Sequence, residues 1–457
     1  MPMRRVLFIG FFLISAFNSD AQSLQSRLEK MMDTYAGNND FNGSVLIAKK
    51  GTVLLSKGYG YSDYESKNPN NEHTIFQIGT ITELFTTQLI LSLDSKAAMG
   101  LEDKINKYFP DFPNGNDITV KNLLTHSSGL YDYSNDSVLL KPKRNFKPAR
   151  AAIMEAVQNR PLCFYPGSKY GYCAADYYMA GLIIEKVGRW DYDDLLKERI
   201  LKSCKMYRTG TDFPGLSDNN KATGYEHIFA DTWQKAEIPD TGYSFTSYGL
   251  YSTTSDMYKF YQSLSTHKLL PQDWQDLAYT PAKDQHAAGW KLERINGKQV
   301  LTHESVTPGF SGYVLWQKQD DLFMVFLENN RTPTMPIPVF ASGLLKCIYG
   351  TAEAKKPVAQ PVAQTKTEVQ APVSPFKKYL GKFQFTEAFS LEFVLRGDEL
   401  VGILADLKEV RMIPEGTDMF RPDGIAAVVE FVKENNGRIN KAILHQGGED
   451  VTGKRIR

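Results

Sequence analysis

One stretch of low complexity limits how this 457-residue chain can fold. Residues Ala354–Pro375 repeat Pro, Ala, Gln and Lys, cannot build a hydrophobic core, and are typical of an extended linker. After it, short β-like runs alternate with turn residues. These runs are Leu391–Leu395, Leu400–Leu404, Val428–Val432 and Ile439–Leu444. We therefore predict a large domain at 22–353, a linker at 354–375 and a β-rich domain of about 80 residues at 376–457.

The first residues have the composition of a signal peptide. Arg4 and Arg5 precede an apolar run, Val6–Phe17, and Ser19-Asp20-Ala21 supplies small residues for cleavage. A membrane anchor is the alternative, but the run is short for that purpose. The sequence predicts a signal at 1–21 and an exported protein, periplasmic or extracellular, with no membrane span after cleavage.

Composition excludes several classes of protein. The 53 basic and 52 acidic side chains give a formal charge of +1, which argues against a nucleic-acid binder. Seven histidines are scattered without metal-ligand spacing, and phosphate-binding glycine loops are absent, so neither a metal nor a cofactor is expected. Four cysteines are too few for a disulfide scaffold. Pairing of Cys163 with Cys173 and buried free thiols both remain open.

Hydrophobic periodicity predicts a mixed succession of strands and helices. A hairpin is expected at Gly43–Gly60, with its turn at Lys49-Lys50-Gly51. Helices are expected at Thr82–Ala98, Thr119–Thr125, Ala174–Val187 and Ser252–Ser263, and further strands at Gly312–Trp316 and Leu322–Leu327.

An ordered series of motifs resembles the serine β-lactamase and penicillin-binding-protein superfamily, in its class C β-lactamase and D-alanyl-D-alanine carboxypeptidase branch. The resemblance covers about Leu24 to Cys347. It implies an α/β (α+β) fold, with an antiparallel sheet flanked by helices, a second helical lobe and a cleft between them. The motifs are Phe41–Ala48, Phe76–Gly79, Asp103–Ile105, Tyr108–Pro110, Leu123–Leu130, Pro166-Gly167, Gly249–Thr253 and Pro308–Phe310.

The same resemblance places three catalytic motifs on residues that differ from the family pattern. The family's S-x-x-K, which puts a nucleophilic hydroxyl and an amine on one helical face, becomes Thr80-Ile81-Thr82-Glu83. Its Y-x-N becomes Tyr172-Cys173-Ala174, and its H-x-G becomes His303-Glu304-Ser305. We predict catalytic positions at Thr80, Glu83, Tyr172 and His303, and substrate-binding positions at Ala174 and Ser305.

Each position also has a structural explanation. Thr-x-x-Glu is a capping-box pattern, so Thr80 and Glu83 are explained by a helix start alone. Glu83 serves as a base for Thr80 only if burial raises its pKa. Tyr172 can be a packed aromatic and His303 a solvent-facing strand residue, while Cys173 is typical of a small buried side chain.

Three functions follow from this interpretation. One is a hydrolase or acyltransferase acting on peptides, esters, amides or β-lactam-like compounds through Thr80, with Glu83 and Tyr172 as proton-handling groups. Another is a catalytically silent homologue that binds a small-molecule or peptide ligand in the cleft, or binds a protein partner. The third is acid–base chemistry by Glu83, Tyr172 and His303 without a covalent intermediate. The sequence leaves a protein partner and the oligomeric state open.

Overall fold

The computed structural model describes residues 24–38, 40–136, 149–228, 232–238, 241–331, 336–350, 376–385, 390–396, 399–404, 409–416, 418–422, 427–433, 438–446 and 449–456. The predicted signal at 1–21 and linker at 354–375 lie outside these residues. The chain divides into two compact units, one ending at Lys355 and the other beginning at Lys356.

The first unit is built on a six-stranded antiparallel sheet in the order β2-β1-β12-β11-β10-β9. The strands of this unit are β1 (Gly43–Lys49), β2 (Thr52–Tyr59), β3 (Tyr61–Asp63), β4 (Asn68–Pro69), β5 (Phe76–Gln77), β6 (Tyr225–Ile228), β7 (Thr232–Lys235), β8 (Tyr251–Ser252), β9 (Lys291–Ile295), β10 (Lys298–Thr307), β11 (Phe310–Gln317), β12 (Leu322–Glu328) and β13 (Asn330–Arg331).

Helices cover both faces of this sheet. They are α1 (24–37), α2 (Thr82–Asp94), α3 (Val120–Leu124), α4 (Ala149–Gln158), α5 (Ala174–Gly188), α6 (Tyr192–Leu196), α7 (Lys202–Cys204), α8 (Thr241–Tyr248), α9 (Thr254–Ser265), α10 (Gln272–Leu277) and α11 (Ile337–Tyr349). Short 3-10 turns span Gly79–Ile81, Ile105–Lys107 and Tyr133–Asn135, and a π-helical turn spans Lys197–Leu201.

Strand alternation explains why the sheet has two cores. Val45 and Ile47 of β1 join a cluster that includes Leu28 of α1 and Phe340 of α11. Leu46 and its neighbours on the opposite face join the larger cluster of the helical lobe, where α9 packs against β1 and β12 and α2 packs against α5 and α8. Because both faces are covered, β12 is buried along its whole length and is apolar almost throughout.

The structure confirms most of the predicted elements. The hairpin Gly43–Gly60 forms β1 and β2, and the predicted strands Gly312–Trp316 and Leu322–Leu327 lie within β11 and β12. Helix α2 ends at Asp94 rather than Ala98, because the chain turns through Ala97 with φ 54°. The other predicted helices correspond to α3, α5 and α9.

The second unit is a closed eight-stranded barrel, which confirms the predicted β-rich fold of the C-terminal part. Closure occurs because the first strand pairs with both the second and the last. Aromatic side chains occupy its interior, with the rings of Phe393 and Phe431 4.9 Å apart. The strands are β14 (Gly381–Gln384), β15 (Ser390–Arg396), β16 (Glu399–Leu404), β17 (Glu409–Gly416), β18 (Met419–Pro422), β19 (Ala427–Lys433), β20 (Ile439–Gln446) and β21 (Glu449–Arg455).

Three further observations concern only the described residues. All four cysteines are free thiols, Cys163 and Cys173 included. Within these ranges no helix has the length and apolar character that a bilayer crossing requires. Among the same residues, no group of three or more His, Cys, Asp or Glu side chains is placed to hold a metal ion.

Candidate active site

Thr80 lies in the 3-10 turn Gly79–Ile81 that leads into α2. The predicted capping box is wrong, because neither this turn nor α2 has a side-chain cap. The backbone enters the turn through Gly79 at φ 53°, and the Thr80 hydroxyl bonds to groups of β10 instead of the first amides of α2. Thr80 is therefore half-buried at the edge of the sheet.

His303 of β10 is a titratable residue in direct contact with the Thr80 hydroxyl. Its Nε2 lies 3.1 Å from Thr80 Oγ1, and its Nδ1 lies 2.5 Å from the carbonyl oxygen of Gly289. A carbonyl only accepts hydrogen bonds, so Nδ1 carries the proton and the Nε2 lone pair of the neutral ring faces the hydroxyl. Burial lowers the pKa of His303, which keeps the imidazole neutral at pH 7.

Ser305 and Glu304 also contact Thr80. The Thr80 amide donates to Ser305 Oγ at 2.9 Å. Thr80 Oγ1 also lies 3.1 Å from the Glu304 carbonyl oxygen, so this carbonyl and His303 Nε2 are alternative acceptors for the single hydroxyl proton. Ser305 is 3% exposed, whereas the Glu304 residue is exposed. His303 and Ser305 face Thr80 from the same side of the strand, as alternation requires.

Glu83 belongs to a different, buried group of polar side chains. Its Oε2 lies 3.2 Å from His126 Nε2, and His126 Nδ1 lies 3.2 Å from Asp176 Oδ2. Ser128 donates to the other oxygen of Asp176. Glu83 Oε1 has no hydrogen-bond partner, so neither carboxylate oxygen of Glu83 reaches Thr80.

The two neighbouring carboxylates determine the charge of His126, which lies between Glu83 and Asp176. Burial lowers the pKa of His126, but the Glu83 and Asp176 carboxylates outweigh that effect and raise the pKa to about 10. Burial raises the pKa of Asp176 to about 6, against the hydrogen bonds from His126 and Ser128. At neutral pH the imidazolium of His126 therefore lies between two carboxylates.

Tyr172 and Ala174 lie beside the buried group of Glu83, His126 and Asp176. The Tyr172 ring is centred 4.8 Å from that of His126, and the residue is 40% exposed. Loss of hydration and the Glu83 carboxylate raise the pKa of the Tyr172 hydroxyl well above its ordinary value, so the phenol stays protonated. Ala174 is fully buried, and its amide donates to Asp132 at 3.1 Å.

The six predicted positions thus form two groups. Thr80, His303 and Ser305 are in direct contact, while Glu83 and Tyr172 meet through His126. Ala174 offers a buried methyl group where the resembled pattern has an amide.

Sequence reasoning missed His126, Asp176 and Gly289 as residues of these two groups. A charged residue between Ala175 and Tyr177 in a buried helix was an available signal for Asp176. The carbonyl of Gly289 carried no signal, because any residue type supplies a carbonyl.

The Thr80 group has the parts of an activated nucleophile. A hydroxyl lies within hydrogen-bond reach of a neutral imidazole, and a third group orients that imidazole through its other nitrogen. Such an arrangement can transfer the hydroxyl proton to the imidazole as the oxygen attacks an acyl carbon.

Comparisons with known proteins agree with this architecture. Penicillin-binding protein 4* of Bacillus subtilis (strain 168) is 22% identical over 455 residues, covering 94% of this chain and 98% of that protein. Teichoic acid D-alanine hydrolase of Staphylococcus aureus is 27% identical over 311 residues, covering 66% of this chain and 73% of that protein. The octameric penicillin-binding protein homologue from Pyrococcus abyssi has the same fold, with a TM-score of 0.63 at 22% identity, covering 94% of this chain and 99% of that one.

The family model described as Beta-lactamase matches residues 28–338. This segment contains the whole six-stranded sheet and every residue of the Thr80 and Glu83 groups. The resemblance to serine β-lactamases and penicillin-binding proteins is therefore confirmed, and the chain belongs to the β-lactamase family.

Proposed function

We propose that the protein is a hydrolase or acyltransferase of esters and amides in which Thr80 is the nucleophile and His303 the general base. The observation that carries this proposal is the 3.1 Å contact between Thr80 Oγ1 and His303 Nε2. The bond from Nδ1 to the Gly289 carbonyl supports it, because that bond selects the tautomer able to accept the proton.

In the first step Thr80 Oγ1 bonds to the acyl carbon while its proton moves to His303 Nε2. The tetrahedral intermediate collapses when the bond to the leaving group breaks, and His303 Nε2 returns the proton to the leaving oxygen or nitrogen. Water or an acceptor alcohol or amine then attacks the acyl-Thr80 ester with the same base.

This assignment differs from the sequence-based hypothesis about Glu83. The Glu83 carboxylate is engaged with the His126 imidazolium, so we give it a structural part and leave the base to His303. The protonated Tyr172 phenol is a hydrogen-bond donor for a ligand in this proposal, not a base.

The proposed substrates are small acyl compounds of the D-alanyl class. The name of the teichoic acid D-alanine hydrolase supports an ester of D-alanine. Aromatic surfaces near the site supply apolar contacts for such a ligand, since Tyr170 stacks on His286 with ring centroids 3.6 Å apart.

A silent, ligand-binding homologue is the second candidate. It is favoured by the hydrogen bonds available to Thr80, since its amide donates to Ser305 and its hydroxyl can donate to the Glu304 carbonyl instead of to His303. A cleft with these contacts unbroken binds a ligand without attacking it.

Covalent labelling separates the two candidates. We expect a fluorophosphonate to add one phosphonyl group to the purified protein, measured by intact mass, and we expect no adduct in Thr80→Ala because the attacking oxygen is gone. Thr280→Ala, at an exposed threonine, is the matched control and should label like the wild type. A wild type that neither labels nor turns over D-alanyl esters contradicts the hydrolase, as does labelling that survives Thr80→Ala.

The proposal also includes export of the protein. Its support is the N-terminal pattern of Arg4 and Arg5, an apolar run and a small-residue site. Expression of the full chain in a bacterium should yield a protein in the extracytoplasmic fraction whose N-terminus, measured by mass spectrometry, is Gln22. An intact N-terminus in the cytoplasmic fraction contradicts this part of the proposal.

A further inference from the structure

The Ser305 side chain is inserted against the backbone of the nucleophile turn. Its Oγ accepts the Thr80 amide at 2.9 Å, and the residue is 3% exposed. A Cβ at Gly79 would lie 2.1 Å from Ser305 Oγ, so the missing side chain of Gly79 makes room for the hydroxyl. Thr307 lines the same space, since its Cγ2 would lie 2.7 Å from that Cβ.

The Thr80 amide belongs to the nucleophile residue and therefore lies next to the place where charge develops during acyl transfer. When Thr80 Oγ1 attacks an acyl carbon, the carbonyl oxygen becomes an oxyanion, and the amide of the nucleophile residue is placed to donate to it. That amide is not free here, because Ser305 already accepts its hydrogen bond.

We propose that the Ser305 hydroxyl is an internal plug that occupies the place of the substrate's oxyanion and holds the enzyme in a low-activity state. The inference rests on the proposed function of Thr80. Rotation of Ser305 about its Cα–Cβ bond withdraws Oγ and frees the amide for the substrate oxygen. Ser305 thereby sets the rate of attack by Thr80 without itself exchanging a proton with substrate.

If Ser305 blocks the Thr80 amide, its removal should speed the reaction of Thr80, whereas removal of a purely structural serine should not. We expect Ser305→Ala and Ser305→Gly to speed the phosphonylation of Thr80 by about tenfold or more, since one oxyanion donor is typically worth about 10²–10³ in rate. In this reaction Thr80 Oγ1 bonds to phosphorus, fluoride leaves, and the hydroxyl proton passes to His303. Ser311→Ala, on the adjacent strand β11, is the matched control and should leave the labelling rate unchanged.

Hydrogen exchange gives a second measurement that does not depend on activity. Without the Ser305 acceptor, the Thr80 amide should exchange with deuterium faster, as seen by mass spectrometry of a peptide that contains the turn Gly79–Ile81. The melting temperature of each variant shows whether it is folded.

The outcomes distinguish this inference from the proposed function. Thr80-dependent labelling of the wild type that is equal or slower in both Ser305 variants overturns the plug and leaves the Thr80 function intact. Unchanged amide exchange overturns it as well. Absence of labelling in all variants, with faster amide exchange, overturns the function of Thr80 and with it the regulatory part of the inference.

Discussion

Replacing His303 with glutamine is expected to slow the acylation of Thr80 by a factor of about 10²–10⁴, the usual contribution of a general base. Glutamine can keep a hydrogen bond to the Gly289 carbonyl but has no lone pair on nitrogen that accepts the Thr80 proton. The measurement is the rate of fluorophosphonate labelling, or kcat/KM on a D-alanyl ester once turnover is observed.

The pH profile of the labelling rate shows whether His303 is the group that accepts the Thr80 proton. Burial lowers the pKa of His303 below 6.5, with a further decrease from His126 and partial compensation by Glu83 and the Gly289 carbonyl. Because only the neutral ring accepts a proton, the rate should rise with pH through a pKa below 6.5 and then level off. His303→Gln should lack this acidic limb.

Two controls separate the base from a merely structural histidine. His73→Gln makes the same substitution at an exposed position and should leave the rate unchanged. His303→Ala should regain part of its rate with added imidazole, since a small base can enter the space left by the ring. An unaltered rate and pH profile in His303→Gln contradicts the assignment.

The second large effect is on stability. His126→Asn is expected to lower the free energy of unfolding by about 3–5 kcal/mol, since it removes the cation between two buried carboxylates. Glu83 and Asp176 are both nearly inaccessible to water and would face each other without compensation. Asparagine is the suitable replacement because His126 has φ 47°, a left-handed conformation that asparagine tolerates.

His267→Asn is a matched control for this substitution. His267 is also left-handed, with φ 54°, but is exposed, so we expect little change in stability. Tryptophan fluorescence during urea unfolding is a suitable measurement, since all five tryptophans lie in the first unit. Equal urea midpoints for His126→Asn and His267→Asn would show that the contacts of His126 with Glu83 and Asp176 contribute nothing to the free energy of unfolding.

The contacts of His126 with Glu83 and Asp176 also make the free energy of unfolding depend on pH. The folded pKa of His126 is about 10 against 6.5 for the free residue, so its contribution is complete below pH 6.5 and is lost as the pH rises through about 10. Across that interval the free energy of unfolding falls with pH at a slope that approaches about 1.4 kcal/mol per pH unit for one proton. Asp176, with its pKa raised to about 6, loses its own contribution earlier, between pH 3.8 and 6. His126→Asn should lack the alkaline slope.

Local patterns predicted the elements well and the contacts of the site only in part. The hairpin of β1 and β2 follows from alternation around Lys49-Lys50-Gly51, which is a local property. The capping box failed although Thr80 and Glu83 have its spacing, because the chain approaches α2 through a 3-10 turn begun by Gly79. Spacing along the chain does not specify the direction from which the chain enters a helix.

Pairing across long separations explains the other omissions. Asp176 lies 50 residues from His126, and Glu83 lies 43 residues from it. Each is an ordinary acidic residue in its own segment, and only the packing of α2, the Leu123–Leu130 segment and α5 makes them one buried group.

The sequence by itself determined the succession of strands and helices, because hydrophobic periodicity is a property of each local segment. It also determined which residue types occupy the family's catalytic positions, because the order of the motifs can be read along the chain. The tertiary structure alone decided which group meets the Thr80 hydroxyl. Glu83 is one helical turn away but is oriented toward His126, whereas His303 is 223 residues away in the chain and lies at 3.1 Å. The physical reason is that β10 runs beside the turn at Gly79–Ile81, so strand alternation directs both His303 and Ser305 at Thr80.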